Sequence, residues 1–129
     1  MKWAKLVGVV AENSYCKRRQ VGAIIARKDR IIATGYNGTI SGLDNKCEDS
    51  QGNTKSEVVH AEANAILFAA RYGVSLEDTT LYVSTAPCVE CAKMIRQSGI
   101  SEVYYIEEYR NTTGLDLLTV SGVVARRLE

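Results

Sequence analysis

From residue 60 onward the chain changes its hydrophobic period twice within sixty residues, and that alternation limits what it can fold into more than any other feature. Ala61, Ala65, Phe68, Ala69 and Tyr72 recur at helical spacing and stop at Gly73, a residue suited to a left-handed helix cap. Leu81-Tyr82-Val83 then reads as a strand, Cys88 to Gln97 as a helix stopped by Gly99, Val103 to Ile106 as a second strand, and Leu115 to Val120 as a further helix. Strand, helix, strand, helix at this spacing is the pattern of a parallel crossover. Upstream, Val21 to Ala26 and Arg30 to Thr34 are two β-branched runs joined by Arg27-Lys28-Asp29, the pattern of an antiparallel hairpin leading into Gly35-Tyr36-Asn37-Gly38. Residues 2–13 place Trp3, Leu6, Val7, Val10 and Ala11 on one helical face, with Asn13 and Ser14 as stop signals. The polar stretch Ser41 to Ser56 reads as a loop. The expected architecture is α/β, a mixed sheet that is antiparallel at the hairpin and parallel beyond it, with helices on both faces.

Size and charge narrow the functional classes. With 129 residues, 46% of them hydrophobic, residues 1–129 suit a single domain with its own core. Sixteen Lys and Arg against fifteen Asp and Glu leave a formal net charge of +1, so composition alone offers no strongly basic surface for nucleic acid and leaves room only for a local basic pocket. No apolar run reaches the length of a membrane span, and the chain reads as soluble and cytoplasmic.

The only histidine, His60, opens HAEANAI, and the only proline, Pro87, opens PCVEC. His60, Cys88 and Cys91 are three zinc-type ligands. Cys88 and Cys91, three apart on a helix, face the same way as Ala92 and Ile95. Pro87 suits the first helical position, and His60 stands at the start of its own helix, so the site is expected between two helix N-termini, where the dipoles favour anions. Three protein ligands leave the fourth position of a zinc open to water, the arrangement of a catalytic rather than a structural site. Glu62, two residues past the histidine, is placed to accept a proton from that water and return it to a substrate.

HAE followed by PCVEC resembles the signature of zinc-dependent nucleobase deaminases. SYCKRRQVGAII, ATGYNGT, SGLDNKCED, HAEANAILFAA, TLYVSTAPCVECAK and SGISEVYYIEEY together are similar to the deoxycytidylate (dCMP) deaminases, particularly the short or viral type, from about Ser14 to Gly122. The resemblance implies a three-layer α/β/α, cytidine-deaminase-like fold around a five-stranded sheet and hydrolysis of dCMP to dUMP and ammonia, supplying dUMP for dTMP synthesis. It places one zinc per subunit on His60, Cys88 and Cys91 and the proton shuttle on Glu62. The backbone at Ala61 and the carbonyls near Ser84 and Thr85 would hold the pyrimidine edge. Asn37 would bond the sugar, Tyr109 or, second, Tyr105 would stack on the base, and Arg18 and Arg19 are candidates for the 5′-phosphate. It further implies a homohexamer activated by dCTP and inhibited by dTTP. Gly35, Tyr36, Asn37 and Gly38 would form the effector site, Phe68 and Arg71 would lie near it and near subunit contacts, and Mg2+ would accompany a triphosphate.

Some phage relatives carry a second, structural zinc on cysteines placed like Cys16 and Cys47 together with a histidine from a longer loop. Here no histidine remains, and a complete site would need Glu57 or another carboxylate, so two buried free thiols are expected. The near-neutral charge of +1 weighs against a tRNA adenosine-type deaminase, which shares HAE and PCxxC. Glu62 weighs against a zinc scaffold without activity.

Overall fold

A computed structural model describes residues 1–128. Four helices, α1 (Trp3–Ala11), α2 (Ala61–Arg71), α3 (Val89–Gln97) and α4 (Thr113–Val120), surround the sheet. Its five strands are β1 (Gly22–Arg27), β2 (Arg30–Tyr36), β5 (Thr79–Thr85), β6 (Ile100–Glu107) and β7 (Val124–Arg127), in the order β2-β1-β5-β6-β7. β1 pairs antiparallel with both β2 and β5, while β5–β6 and β6–β7 are parallel. A second, two-stranded piece joins β3 (Gly38–Thr39) to β4 (Val58–Val59). Among the described residues no helix is long and apolar enough to cross a membrane.

Alternation along the strands sorts side chains between two layers. Ala23, Ile25, Leu81, Val83, Val103 and Tyr105 face one side, where Ala61, Ala65 and Ala69 of α2, Ala92 and Ile95 of α3, and Leu118 of α4 complete the larger core. Ile24 and Ala26 face the other and pack with Trp3 and Val7 of α1, joined by Tyr82 and Ile106. Trp3 stacks on Tyr82 at 4.2 Å between ring centroids, and Tyr82 on Tyr104 at 5.6 Å. The helices thus lie on both faces, α1 on one and the other three on the other.

Several local expectations change. Phe68 and Tyr72 do not share the buried stripe of α2: they are 47% and 63% exposed, and the small Ala61, Ala65 and Ala69 are buried against the sheet with Ile66 packed beside them. Small residues stand at Ala61 and Ala65 where α2 lies directly on the backbone of β2. A Cβ on Gly35 would meet the Ala61 carbonyl oxygen and approach the Ala65 nitrogen to 2.6 Å. Gly35 therefore serves this close approach; Gly35 and Gly38 stand outside the left-handed region, and the segment is the end of a strand and the start of another rather than a tight turn. Gly35→Ala is expected to cost about 2 kcal/mol by overpacking against backbone, and to lower the midpoint of thermal unfolding by roughly 5–10 °C.

Pro87 precedes Cys88, the N-cap of α3, so it stands one position before the cap rather than at the first helical residue. Cys16 and Cys47 are not free thiols. They are joined in a disulfide, with Cα atoms 5.2 Å apart across 31 residues of sequence. The segment between α1 and β1 and the 41–56 stretch bring their backbones within bridging distance. The 41–56 stretch is itself ordered by turns. Asp49 accepts from the Gln51 and Asn53 N–H groups, Glu48 bridges to Thr54, and Lys55 N–H donates to the Cys47 carbonyl at 2.7 Å.

Candidate functional site

His60 is the N-cap of α2 and Cys88 the N-cap of α3, with Cys91 one turn into α3. Neither cap residue turns its side chain back onto its own helix. Both instead point outward at one another, and His60 Nδ1 lies 3.5 Å from the sulfurs of Cys88 and Cys91. All three ligand atoms fall within 4.8 Å of one another. For bonds of about 2.3 Å to sulfur and 2.0 Å to nitrogen, tetrahedral zinc requires nitrogen and sulfur ligands about 3.5 Å apart, so the donors fit zinc in chemistry and in spacing.

The three ligand side chains shift one another's protonation. The hydrogen bond from Cys91, with that from His60, pushes the Cys88 thiol down to about 3; Cys91 is raised because its proton is held against the Cys88 sulfur and because it is buried. The bond to Cys88 also raises His60. Glu62, in the first turn of α2, is 4% exposed, and burial pushes its carboxyl up to about 7. A carboxyl so placed exchanges a proton at neutral pH with little bias either way.

α4 buttresses this centre from behind. A Cβ on Gly114 would run into the Pro87 carbonyl and stand 2.9 Å from the Cys88 carbonyl carbon, so the backbone of α4 is packed against the turn that carries the first cysteine. The carboxyl end of β5 delivers the same turn, the Ala86 N–H donating to the Glu107 carbonyl of β6 at 2.8 Å.

His60, Ala61 and Glu62 form one wall of a cavity of about 810 Å³ that also brings together Thr85, Asn37, Arg18, Arg19 and Tyr109. Arg19 lies over the Tyr109 ring, 5.5 Å from its centroid. Burial, then the Glu62 charge, raises the Tyr109 hydroxyl. Asn37 is buried and braced: its Oδ1 accepts from the Val21 N–H at 2.9 Å, and its Nδ2 donates to the Arg19 carbonyl at 2.8 Å. Two candidates stand apart. Tyr105 belongs to the larger core and donates its hydroxyl to Glu108, and the Ser84 hydroxyl accepts from the Gly22 N–H at 3.0 Å within the sheet. Sequence reasoning missed Glu48, Glu108, Arg110 and Asn111, all of which line the cavity. Their one signal is adjacency, for Glu108, Arg110 and Asn111 flank Tyr109 and Glu48 follows Cys47.

A separate groove of about 420 Å³ collects Gly35, Tyr36, Gly38, Phe68 and Arg71, joined by Tyr15 and Asn64. Asn37 lines the main cavity instead, while its neighbours on either side line the groove. A single peptide separates the two. Asn64 Nδ2 donates to the Tyr36 carbonyl at 2.8 Å, and the Ser14 hydroxyl to the Asn37 carbonyl at 2.8 Å. No carboxylate lines the groove among the described residues. Another convergence, Cys16, Cys47 and Glu48, has the spacing of metal ligands, but its sulfurs are bonded to each other.

Residues 1–107 match the family model described as the cytidine and deoxycytidylate deaminase zinc-binding region. The chain is 39% identical to a deoxycytidylate deaminase of Saccharomyces cerevisiae over 95% of its own length, but it spans only 42% of that protein. It is 36% identical to the deoxycytidylate deaminase of Enterobacteria phage T4, covering 89% of this chain and 82% of the phage protein. The crystal structure of the dCMP deaminase of cyanophage S-TIM5, in complex with dCMP and dUMP, superposes with a TM-score of 0.94 at 40% identity, covering 98% of this chain and 93% of that one.

Proposed function

Because the chain belongs to the cytidine and deoxycytidylate deaminase zinc-binding family, we propose that it forms one deaminase domain that hydrolyses dCMP to dUMP and ammonia. The observation that carries this reading is a buried carboxyl, Glu62, which with His60, one of three convergent zinc ligands, lines a nucleotide-sized cavity that also presents Arg18, Arg19 and Arg110. Likeness to the yeast, T4 and cyanophage deoxycytidylate deaminases supports the choice of substrate.

His60, Cys88 and Cys91 would hold the zinc, which when bound would supply a Lewis acid able to lower the pKa of water to about 7. The protein's own contribution begins with Glu62. Its carboxylate takes the proton of the attacking water and donates it to the ring nitrogen next to the amino-bearing carbon. A second transfer through the same carboxyl lets the amine leave as ammonia. Burial that holds Glu62 near neutrality suits both directions. The Ala61 backbone and the carbonyls at Ser84 and Thr85 hold the polar edge of the pyrimidine, and Tyr109 covers its face. Asn37, with one amide hydrogen tied to Arg19, keeps the second for a sugar hydroxyl. Arg18 and Arg19 receive the 5′-phosphate.

Regulation is part of the same reading. The groove bounded by Gly35, Tyr36, Gly38, Phe68 and Arg71 is the place for a dNTP effector, dCTP activating and dTTP inhibiting. Lacking carboxylates, it would leave any Mg2+ to the phosphates. The exposed Leu67, Phe68 and Tyr72 on the outer face of α2 suit burial between subunits of a homohexamer.

Ammonia release over cytidine, dCMP, CMP, dCTP and a tRNA anticodon stem-loop tests the reading. The expected result is turnover of dCMP far above all the others, sigmoidal in dCMP, made hyperbolic by dCTP and suppressed by dTTP. Preference for the stem-loop would overturn the substrate, and indifference to both triphosphates would remove the effector groove.

A further inference from the structure

Residues 17–20 belong to no helix or strand, and all four are exposed, yet this segment carries Arg18 and Arg19, two of the three arginines that line the cavity. Its conformation has to be imposed from outside. One carboxylate oxygen of Glu48 accepts two successive backbone N–H groups, those of Lys17 at 3.1 Å and Arg18 at 3.0 Å. Successive amides turned to one point form an anion-binding concavity, and here Glu48 occupies it. The disulfide reinforces the same junction, because Cys16 directly precedes Lys17 and Cys47 directly precedes Glu48. Asn37 ties the far end through the Arg19 carbonyl.

We propose that Glu48, held in place by the Cys16–Cys47 disulfide, is a positioning residue for the phosphate end of the substrate. It acts by fixing the backbone of Lys17 and Arg18 so that the Arg18 and Arg19 side chains meet the phosphate together. The inference rests on the reading that a 5′-nucleotide occupies this cavity. Glu48 itself lines the cavity, and its charge alone would repel a phosphate. Positioning and electrostatics therefore predict opposite signs for its removal.

Steady-state kinetics on dCMP and on deoxycytidine, which lacks the phosphate, separate them. Glu48→Ala is expected to raise KM for dCMP about tenfold, on the scale of lost charge-assisted bonds, with kcat within about twofold. Its kcat/KM for deoxycytidine should not move. Glu48→Gln, which keeps an oxygen able to accept the same two amides, is expected to stay within about threefold of the parent for dCMP. Amide hydrogen exchange at Lys17 and Arg18 should accelerate in Glu48→Ala and not in Glu48→Gln. Replacing Cys16 and Cys47 together by Ala should raise KM for dCMP in the same sense and add nothing further to Glu48→Ala, since neighbours acting on one segment are not additive. Should Glu48→Ala fail to fold, Glu48→Asp, one methylene shorter, is expected to give the same split between substrates.

Tighter dCMP binding in Glu48→Ala, equal losses on both substrates, or an unchanged KM would overturn the proposal while the substrate reading stood. A parent protein that does not distinguish dCMP from deoxycytidine would bring down the substrate reading, and this inference with it.

Discussion

Glu62→Gln is expected to bind zinc and dCMP as the parent does and to lose turnover by about two to four orders of magnitude, the usual worth of a positioned general acid–base group. That loss corresponds to about 3–5 kcal/mol of transition-state stabilisation. The amide is nearly isosteric, and the site is already prepared for a neutral group, since burial holds the carboxyl near neutrality. Stability should therefore change little. The decisive measurement pairs zinc per chain and dCMP affinity with kcat. Near-normal kcat would remove Glu62 from the mechanism. Loss of zinc along with activity would show instead that the carboxyl serves the metal.

Cys91→Ala should have the largest effect on the centre itself. Cys91 is buried, its sulfur lies 3.5 Å from His60 Nδ1, and it is one of only three protein donors. Removing it leaves two ligands, and zinc affinity should fall by more than about a hundredfold, the scale already reached when an outer partner of a ligand is lost. Deamination should disappear with the metal. The thermal midpoint should also stop responding to added zinc, because affinity for the folded state alone is folding free energy. Metal analysis after exhaustive dialysis, with melting curves in the presence and absence of zinc, checks both. One tightly held zinc per chain in Cys91→Ala would move the site elsewhere.

How much of this could be read beforehand differs from element to element. The alternation of Ala23, Ile24, Ile25 and Ala26 and of Leu81, Tyr82 and Val83 announced strands packed on both faces. His60 with Cys88 and Cys91 announced the centre, because ligand type and helix phase are local properties. β7 escaped notice because Val124–Arg127 is an edge strand with two arginines in four residues and no buried side chain. The β3 and β4 pair, two residues each, exists only through tertiary pairing. Phe68 was misplaced on the buried stripe because spacing cannot show how closely a helix approaches its sheet, and here Gly35 brings it too near for a ring. The pairing of Cys16 with Cys47 depends on where two separate loops end, which no sequence spacing reveals. Asn37 was legible as a polar residue near the site, but its two backbone partners were not.

The central position of β5 has a kinetic consequence. This strand pairs with β1, more than fifty residues earlier, and with β6, about twenty residues later, so neither half of the chain can complete the sheet alone. Such long-range pairings form late and place the chain among the slower folders of its size. His60 arrives with the half before β5, and Cys88 and Cys91 with the crossover after it. Tight zinc capture therefore waits for both halves to dock. Stopped-flow zinc uptake would then time the end of folding, and the metal would act as a lock on the finished chain rather than as a nucleus for it.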